Sequence, residues 1–198
     1  MGGRGGRAVQ QPEVTSSRSD DAPLAWNVGG LLADDPGADR VFEVEDITID
    51  LGEDLLLAKP IDGRIRLLRT NRGILAHADL RTALALECSR CLREIELPID
   101  IRLQEEYLPA IDLTTGRPLP VDDEPDVARL TDHHELDLET PVREAIQLAE
   151  PIAPLCRPDC PGLCIVCGLR LDDGEHDHPE DDIDPRMEAL RGFRPDGA

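Results

Sequence analysis

The sequence predicts an α+β fold, a mostly antiparallel β-sheet body with a few short helices and a C-terminal Cys/His-rich zinc-knuckle segment. Two observations carry this. Between Ile61 and Leu103 apolar side chains recur at every second position through successive runs, the period of a half-buried strand. Residues 156–178 read C-R-P-D-C-P-G-L-C-I-V-C-G-L-R-L-D-D-G-E-H-D-H, four cysteines and two histidines in a Pro- and Gly-containing stretch that lacks the apolar residues of a core. Something other than hydrophobic burial must hold that stretch.

Taken in order, residues 1–22 are Gly, Arg, Ser, Gln and Asp with few large apolar groups, and are expected to form a disordered arm. Its two G-G-R units resemble a very short RNA-contacting RGG segment, but a solvated tail is the better reading because such segments are longer. Leu24, Trp26, Val28, Leu31 and Leu32 predict a short helix or turn laid on the body, with Trp26 as its anchor. A loop over 34–40 leads to strand-like alternation over 41–49.

Residues 55–59 and 61–69 read as two strands meeting at Pro60, the second with Ile61, Gly63, Ile65 and Leu67 on one face and Asp62, Arg64 and Arg66 on the other. After a turn at 71–73, Ile74, Ala76, Ala78, Leu80, Thr82, Leu84 and Leu86 line one face of a long strand. The parity resumes in Ile95, Leu97, Ile99, Ile101 and Leu103. Cys88-Ser89-Arg90-Cys91 therefore sits at the tip of an antiparallel hairpin, where both sulfurs point the same way and make half of a ribbon-type metal site.

The acidic, Pro-containing stretch at about 110–135 predicts a long mobile surface loop, and His133-His134 within it reads as solvated. Thr140 as N-cap and Pro141 at the first position predict a helix with Val142, Ala145, Ile146 and Ala149 as its apolar stripe, ended by Pro151. Asp184-Pro185 repeats the signal and opens a short C-terminal helix through Met187 and Leu190. The expected organisation is thus an arm at 1–22, a sheet body at 23–155 and a metal segment with a short helix at 156–198.

Bulk composition narrows the function. The chain has 42 acidic and 21 basic residues, for a net charge of -21, so a phosphate backbone is repelled and any RNA contact must be local. Aromatics make up 2% of the sequence, which leaves Leu, Ile and Val to fill the core. With neither a long apolar run nor the apolar core of a secretion signal, a cytoplasmic protein without a membrane partner is expected. In that reducing compartment six cysteines read as metal ligands rather than disulfides.

Cys88, Cys91, Cys156, Cys160, Cys164, Cys167, His176 and His178 are the candidate ligands, the number that two tetrahedral zinc ions would use. One division joins Cys88 and Cys91 to Cys164 and Cys167 and leaves Cys156, Cys160, His176 and His178 for a second ion. Another places one ion on Cys160, Cys164, Cys167 and a histidine. Thiolate-rich ligation favours a structural role, whereas a redox Cys88-Cys91 pair would start a helix rather than join strands. Signatures of hydrolases, phosphate-binding loops, zinc peptidases and dinucleotide sites are missing, so no catalytic residue is assigned. Arg64, Arg66, Arg81, Arg90 and Arg93 lie around the tip and are candidate RNA contacts, against the plainer reading that they pair with nearby acids on a solvated sheet.

E-C-S-R-C-L after a long strand, E-E-Y-L-P, the helix before P-I-A-P-L-C, C-R-P-D-C-P-G-L-C-I-V-C-G, the late D-P-R and the early N-V-G-G-L-L-A-D-D-P-G-A-D-R together resemble the YceD family of large ribosomal RNA subunit accumulation proteins. The resemblance runs from about Trp26 to Phe193. It implies a bacterial or organellar protein needed for synthesis, processing or stability of 23S ribosomal RNA, with no established catalytic activity. With the one or two structural zinc ions read from the cysteines and histidines, a non-enzymatic factor in large-subunit assembly is expected. Its partner would be 23S ribosomal RNA or its precursor, met directly or through a ribosome-assembly protein, with no small-molecule substrate. The alternatives are a zinc-dependent RNA hydrolase or nuclease with Glu175 as base, or a zinc-ribbon interaction module in transcription. Family members usually carry Cys-x-Cys where this chain has His176-Asp177-His178, which supports those histidines as ligands, and an Asn where it has Asp172.

Overall fold

A computed structural model describes residues 18–19, 22–53, 55–120, 127–174, 178 and 186–187. A five-stranded sheet, ordered β3-β4-β5-β6-β7, forms from β3 (Asp39–Ile47), β4 (Leu56–Arg69), β5 (Ile74–Glu87), β6 (Glu94–Leu108) and β7 (Ala128–Arg129). It is a mixed sheet, since β6 and β7 run parallel while the other neighbours are antiparallel. A smaller antiparallel sheet, ordered β1-β2-β8, forms from β1 (Arg18–Ser19), β2 (Ala22–Asn27) and β8 (Glu135–Asp137). Two helices, α1 (Gly29–Ala33) and α2 (Glu139–Ala149), complete the described elements.

The alternation read from the sequence decides which face of the large sheet is buried. Ile61, Ile65, Leu67, Ile74, Ala76, Ala78, Leu80 and Leu84 are buried, while the intervening charged side chains are exposed. Their core is continuous with Leu24 and Trp26 of β2, Leu31 and Leu32 of α1, Leu136 of β8, and Val142 and Ile146 of α2. The small sheet and both helices therefore cover the inner face of the large one. Burying each such Leu, Ile or Val side chain contributes about 1.5–3 kcal/mol. Trp26 is buried against Phe42 with ring centroids 5.4 Å apart, so it anchors the cover to β3.

Several local expectations change. Residues 24–32 divide into the end of strand β2 and the five-residue α1, because Trp26 and Asn27 pair with Leu136 and Glu135. Pro60 does not interrupt the strand; β4 continues through it with register shifts between Leu57 and Lys59 and between Lys59 and Asp62, a bulge where a missing N–H costs little. Helix α2 begins at Glu139, one residue before Thr140, and no side chain caps it at Leu138. Asp137 Oδ1 instead accepts from the Glu139 N–H at 2.8 Å. Val142 and Ile146 are buried as expected, but Ala149 is exposed.

The described parts of the acidic stretch, 110–120 and 127–135, make more contacts than a plain loop. Ile111 bridges to Pro118, Asp112 Oδ1 accepts from the backbone N–H groups of Thr114 and Thr115, and Ala128 and Arg129 join the sheet beside Tyr107 and Leu108. Residues 121–126 lie outside the described residues, as do 1–17 of the arm and most of the C-terminal helix expected from Asp184 onward. Within the arm, Arg18 and Ser19 pair with β2.

Candidate metal centre

The β5–β6 hairpin ends in a tight knuckle. The Cys88 N–H donates to Arg93 O at 2.8 Å and the Leu92 N–H to Cys88 O at 2.9 Å, which turns Cys88 and Cys91 to one side. The chain leaving α2 is then fixed to this tip, because the Ser89 N–H donates to Pro154 O at 2.8 Å. That bond seats Cys156 and Cys160 against the hairpin before the chain reaches the second Cys-x2-Cys. Arg90 reinforces the contact by donating from Nη1 to Cys160 O at 2.9 Å.

Cys88, Cys91, Cys156 and Cys160 consequently form one cluster whose sulfurs all lie within 4.8 Å of one another. Cys88 Sγ is 3.8 Å from Cys160 Sγ, and Cys91 Sγ is 3.7 Å from Cys156 Sγ. A tetrahedral ion bound by four sulfurs at about 2.3 Å places neighbouring sulfurs about 3.8 Å apart, so the donor set fits a metal ion as it stands. Disulfide bonding would demand about 2.05 Å between sulfurs, and all six cysteines are free. Three of the four thiols are buried, with Ile95, Leu155 and Leu163 packed around them.

The thiols are electrostatically unequal. Hydrogen bonding from the Cys156 backbone, and then from the Cys91 and Arg90 backbones, lowers the Cys88 pKa to about 6 despite the opposing effect of burial. Burial pushes Cys156 up to about 12, helped by its hydrogen bonds to the neighbouring thiols, and burial also raises Cys160. Burial thus favours protons on Cys156 and Cys160, and a bound metal would displace them.

A second cluster holds Cys164, Cys167 and His178. Its knuckle sits in a small hairpin in which Leu163 bridges Arg170, the Cys164 N–H donates to Leu169 O at 2.7 Å, and the Gly168 N–H donates to Cys164 O at 2.9 Å. Backbone hydrogen bonds from Cys167 and Val166 lower the Cys164 pKa. Cys164 Sγ and His178 Nε2 are 3.1 Å apart, a hydrogen-bond separation, so this set is less pre-shaped for an ion than the first. Neither sequence-based division matches these groupings: Cys88 and Cys91 meet Cys156 and Cys160 rather than Cys164 and Cys167, and Cys160 stands apart from Cys164. His176 lies outside the described residues.

Three charged contacts that the sequence did not flag bind the two clusters together. Arg170 donates from Nε to Cys91 O at 2.9 Å. Arg157 pairs with Asp172 at 2.6 Å, and Arg93 with Asp173 at 3.6 Å. No periodicity announces such residues, because each partner is 15 to 80 positions away and becomes visible only when the knuckles meet.

The candidate RNA-facing arginines have local partners. Arg64 pairs with Glu43 and Arg66 with Asp39, each at 2.8 Å, while Arg90 and Arg93 are engaged at the knuckles. Arg81 stands between Asp62 and Asp100 in the strand register. The outward face of the sheet is thus a mixed charge ladder, in which each exposed pair contributes about 0–1 kcal/mol. Among the described residues, neither His133 nor His134 joins a ligand cluster; His134 adopts a left-handed conformation (φ 59°) and its buried Nδ1 finds no hydrogen-bond partner there. No helix among the described residues is long and apolar enough to cross a membrane.

Comparison with known proteins agrees with the motifs. Residues 76–194, which include the hairpin and both clusters, match the family model of the large ribosomal RNA subunit accumulation protein YceD. Uncharacterized proteins of Mycobacterium tuberculosis and Mycobacterium bovis are each 31% identical over 191 residues, covering 92% of this chain and 86% of theirs. An uncharacterized protein of Mycobacterium leprae is 31% identical over 182 residues, covering 91% and 78%. No solved structure matches. With its hairpin tip, cysteine clusters and sheet all inside the matched span or the aligned relatives, the chain belongs to the YceD family.

Proposed function

We propose that this protein is a non-enzymatic factor that supports synthesis, processing or stability of 23S ribosomal RNA during large-subunit assembly, held in shape by structural zinc. The family match supplies the connection to large-subunit RNA. The observation that carries the structural role is the first cluster, whose four cysteine sulfurs lie within 4.8 Å of one another, with Cys88–Cys160 and Cys91–Cys156 at tetrahedral spacing. A four-sulfur shell leaves no position for a reactive water, so zinc there would supply cross-linking rather than chemistry. Cys88 and Cys91 would hold it from the hairpin, and Cys156 and Cys160 from the chain leaving α2. Burial would shield the sulfurs from oxidants and competing ligands.

Contact with RNA is better supported through a protein partner than by this chain's own surface. Four of the five candidate arginines already have acidic or backbone partners, and the net charge of -21 repels phosphate. Depletion of the protein followed by profiling of 23S precursors tests the reading. Accumulation of precursors or loss of mature 23S RNA is expected, restored by the wild-type chain; an unchanged 23S profile would refute it.

A further inference from the structure

Beside the first knuckle a groove of about 820 Å³ opens between the start of β4, the end of β5, the start of β6 and the chain leaving α2. Leu56, Leu86 and Ile95 give it apolar surface, and Ser89 and Pro154 place the knuckle on its border. Glu87, Glu94, Glu96 and Glu150 line the same groove, and among the described residues no lysine or arginine does.

These acids are poorly compensated, unlike those of the outward charge ladder. Among the described residues Glu96 pairs with Lys59 at 3.3 Å, but Glu87, Glu94 and Glu150 have no ion-pair partner. Glu87 and Glu94 stand opposite each other in the β5–β6 register, an arrangement of like charges that costs stability. Within the groove Leu56 is 65% exposed and Leu86 and Ile95 are half-buried; outside its lining, Leu148 and Ile152, two residues to either side of Glu150, are also exposed. Isolated exposed leucines are ordinary, but aliphatic side chains at a groove where three of four carboxylates lack an ion-pair partner among the described residues mark an interaction surface.

The charge and the apolar floor together select the occupant. Nucleic acid would bring phosphates against four glutamates. An uncharged apolar segment would strip water from those carboxylates and give nothing back. We propose that this groove docks a basic amphipathic segment of a partner protein, its aliphatic side chains on Leu56, Leu86 and Ile95 and its lysines or arginines against Glu87, Glu94, Glu96 and Glu150. This names a partner class for the ribosomal reading without depending on it, because binding in the groove and the 23S profile are measured separately.

The test is fluorescence anisotropy of the full chain, metal-loaded, with a short labelled peptide of lysine and leucine in amphipathic order. Polylysine and a single-stranded RNA oligonucleotide serve as the other probes. A Glu87→Gln/Glu94→Gln/Glu150→Gln variant and a Leu56→Ser variant are each expected to weaken amphipathic-peptide binding at least ~10-fold while melting no lower than the parent, as loss of several charge-assisted contacts or an apolar anchor implies. A charge-matched variant at remote exposed acids, Asp35→Asn/Glu45→Gln/Asp132→Asn, should bind as the parent does. The proposal is overturned if the groove variants bind normally, if the remote variant weakens binding equally, if polylysine binds as tightly as the amphipathic peptide, or if RNA competes for the groove. On the unaltered chain, affinity that does not fall with added salt overturns it as well.

Discussion

Leu92 and Gly168 occupy the same position in two knuckles of matching backbone. In each, the first cysteine's N–H donates to the carbonyl five residues on, and the N–H four residues on returns to that cysteine's carbonyl. That fourth residue is left-handed in both, with φ 54° at Leu92 and 73° at Gly168. Glycine accepts this conformation freely, whereas a leucine pays about 1–2 kcal/mol for it. Since Leu92 is largely exposed, Leu92→Gly sacrifices little burial. Its strain relief outweighs the added chain entropy of glycine, so a net gain of about 0.5–1 kcal/mol is expected in denaturant unfolding. Gly168→Leu should lose about 1–2 kcal/mol by the same reasoning. A destabilised Leu92→Gly chain would mean that the leucine side chain has a packing role which outweighs its strain.

Gly63 is a stricter case. Its φ is 151°, and an added Cβ would lie 2.2 Å from Asp79 O on the neighbouring strand. The clash is with backbone, in the middle of the β4–β5 ladder, where no rotamer change can relieve it. Gly63→Ala is therefore expected to cost about 3 kcal/mol or more, well above an ordinary surface substitution. Thermal melting of the variant measures this, and a loss below about 1 kcal/mol would show that β4 shifts to make room.

Tyr107 predicts a loss of stability in alkali. It is buried, and its hydroxyl lies 3.0 Å from Glu105 Oε2 and 3.1 Å from Asp137 O. Burial, followed by the charge of Glu105, pushes its pKa far above the ordinary tyrosine value. A raised folded pKa means that the unfolded chain releases this proton first, near pH 10. The contribution is complete below that pH and is lost as pH rises toward the folded value. Tyr107→Phe should melt lower near neutrality by the equivalent of about 1 kcal/mol, and should show a shallower decline above about pH 10. Parallel melting curves for the two chains through that range would contradict the assignment.

The legible features of the structure were those with a local physical cause. Alternation from Ile61 to Leu103 gave the buried face of three strands because a period of two assigns every side chain to a side. The hairpin tip at Cys88 and Cys91 followed from the same parity. Pro60 misled because a bulge absorbs its missing N–H without ending the strand, and bulges leave no clear mark in sequence. The ligand grouping misled for a longer-range reason: pairing one Cys-x2-Cys with the other is the natural symmetry of the sequence. The Ser89–Pro154 hydrogen bond instead brings the Cys-x3-Cys at Cys156 and Cys160 to the tip first.

That grouping determines how metal removal should propagate. The first cluster ties the β5–β6 hairpin to the segment after α2, whereas the second closes within the C-terminal segment, reaching the hairpin through Arg170 and Arg93 and the Cys156–Cys160 stretch through Arg157. Native mass spectrometry should find two metal ions on the full chain, and one after either Cys160→Ser or Cys164→Ser, since a tetrahedral thiolate site rarely survives loss of a sulfur. Hydrogen exchange should separate the two variants. Cys160→Ser should deprotect both the tip around Cys88 and the segment from Cys156, while Cys164→Ser should deprotect mainly the hairpin from Leu163 to Arg170. Protection at Cys88 that falls equally in both variants would show that one ion, or one coupled cluster, holds all of these residues, and the two-centre geometry would have to be abandoned.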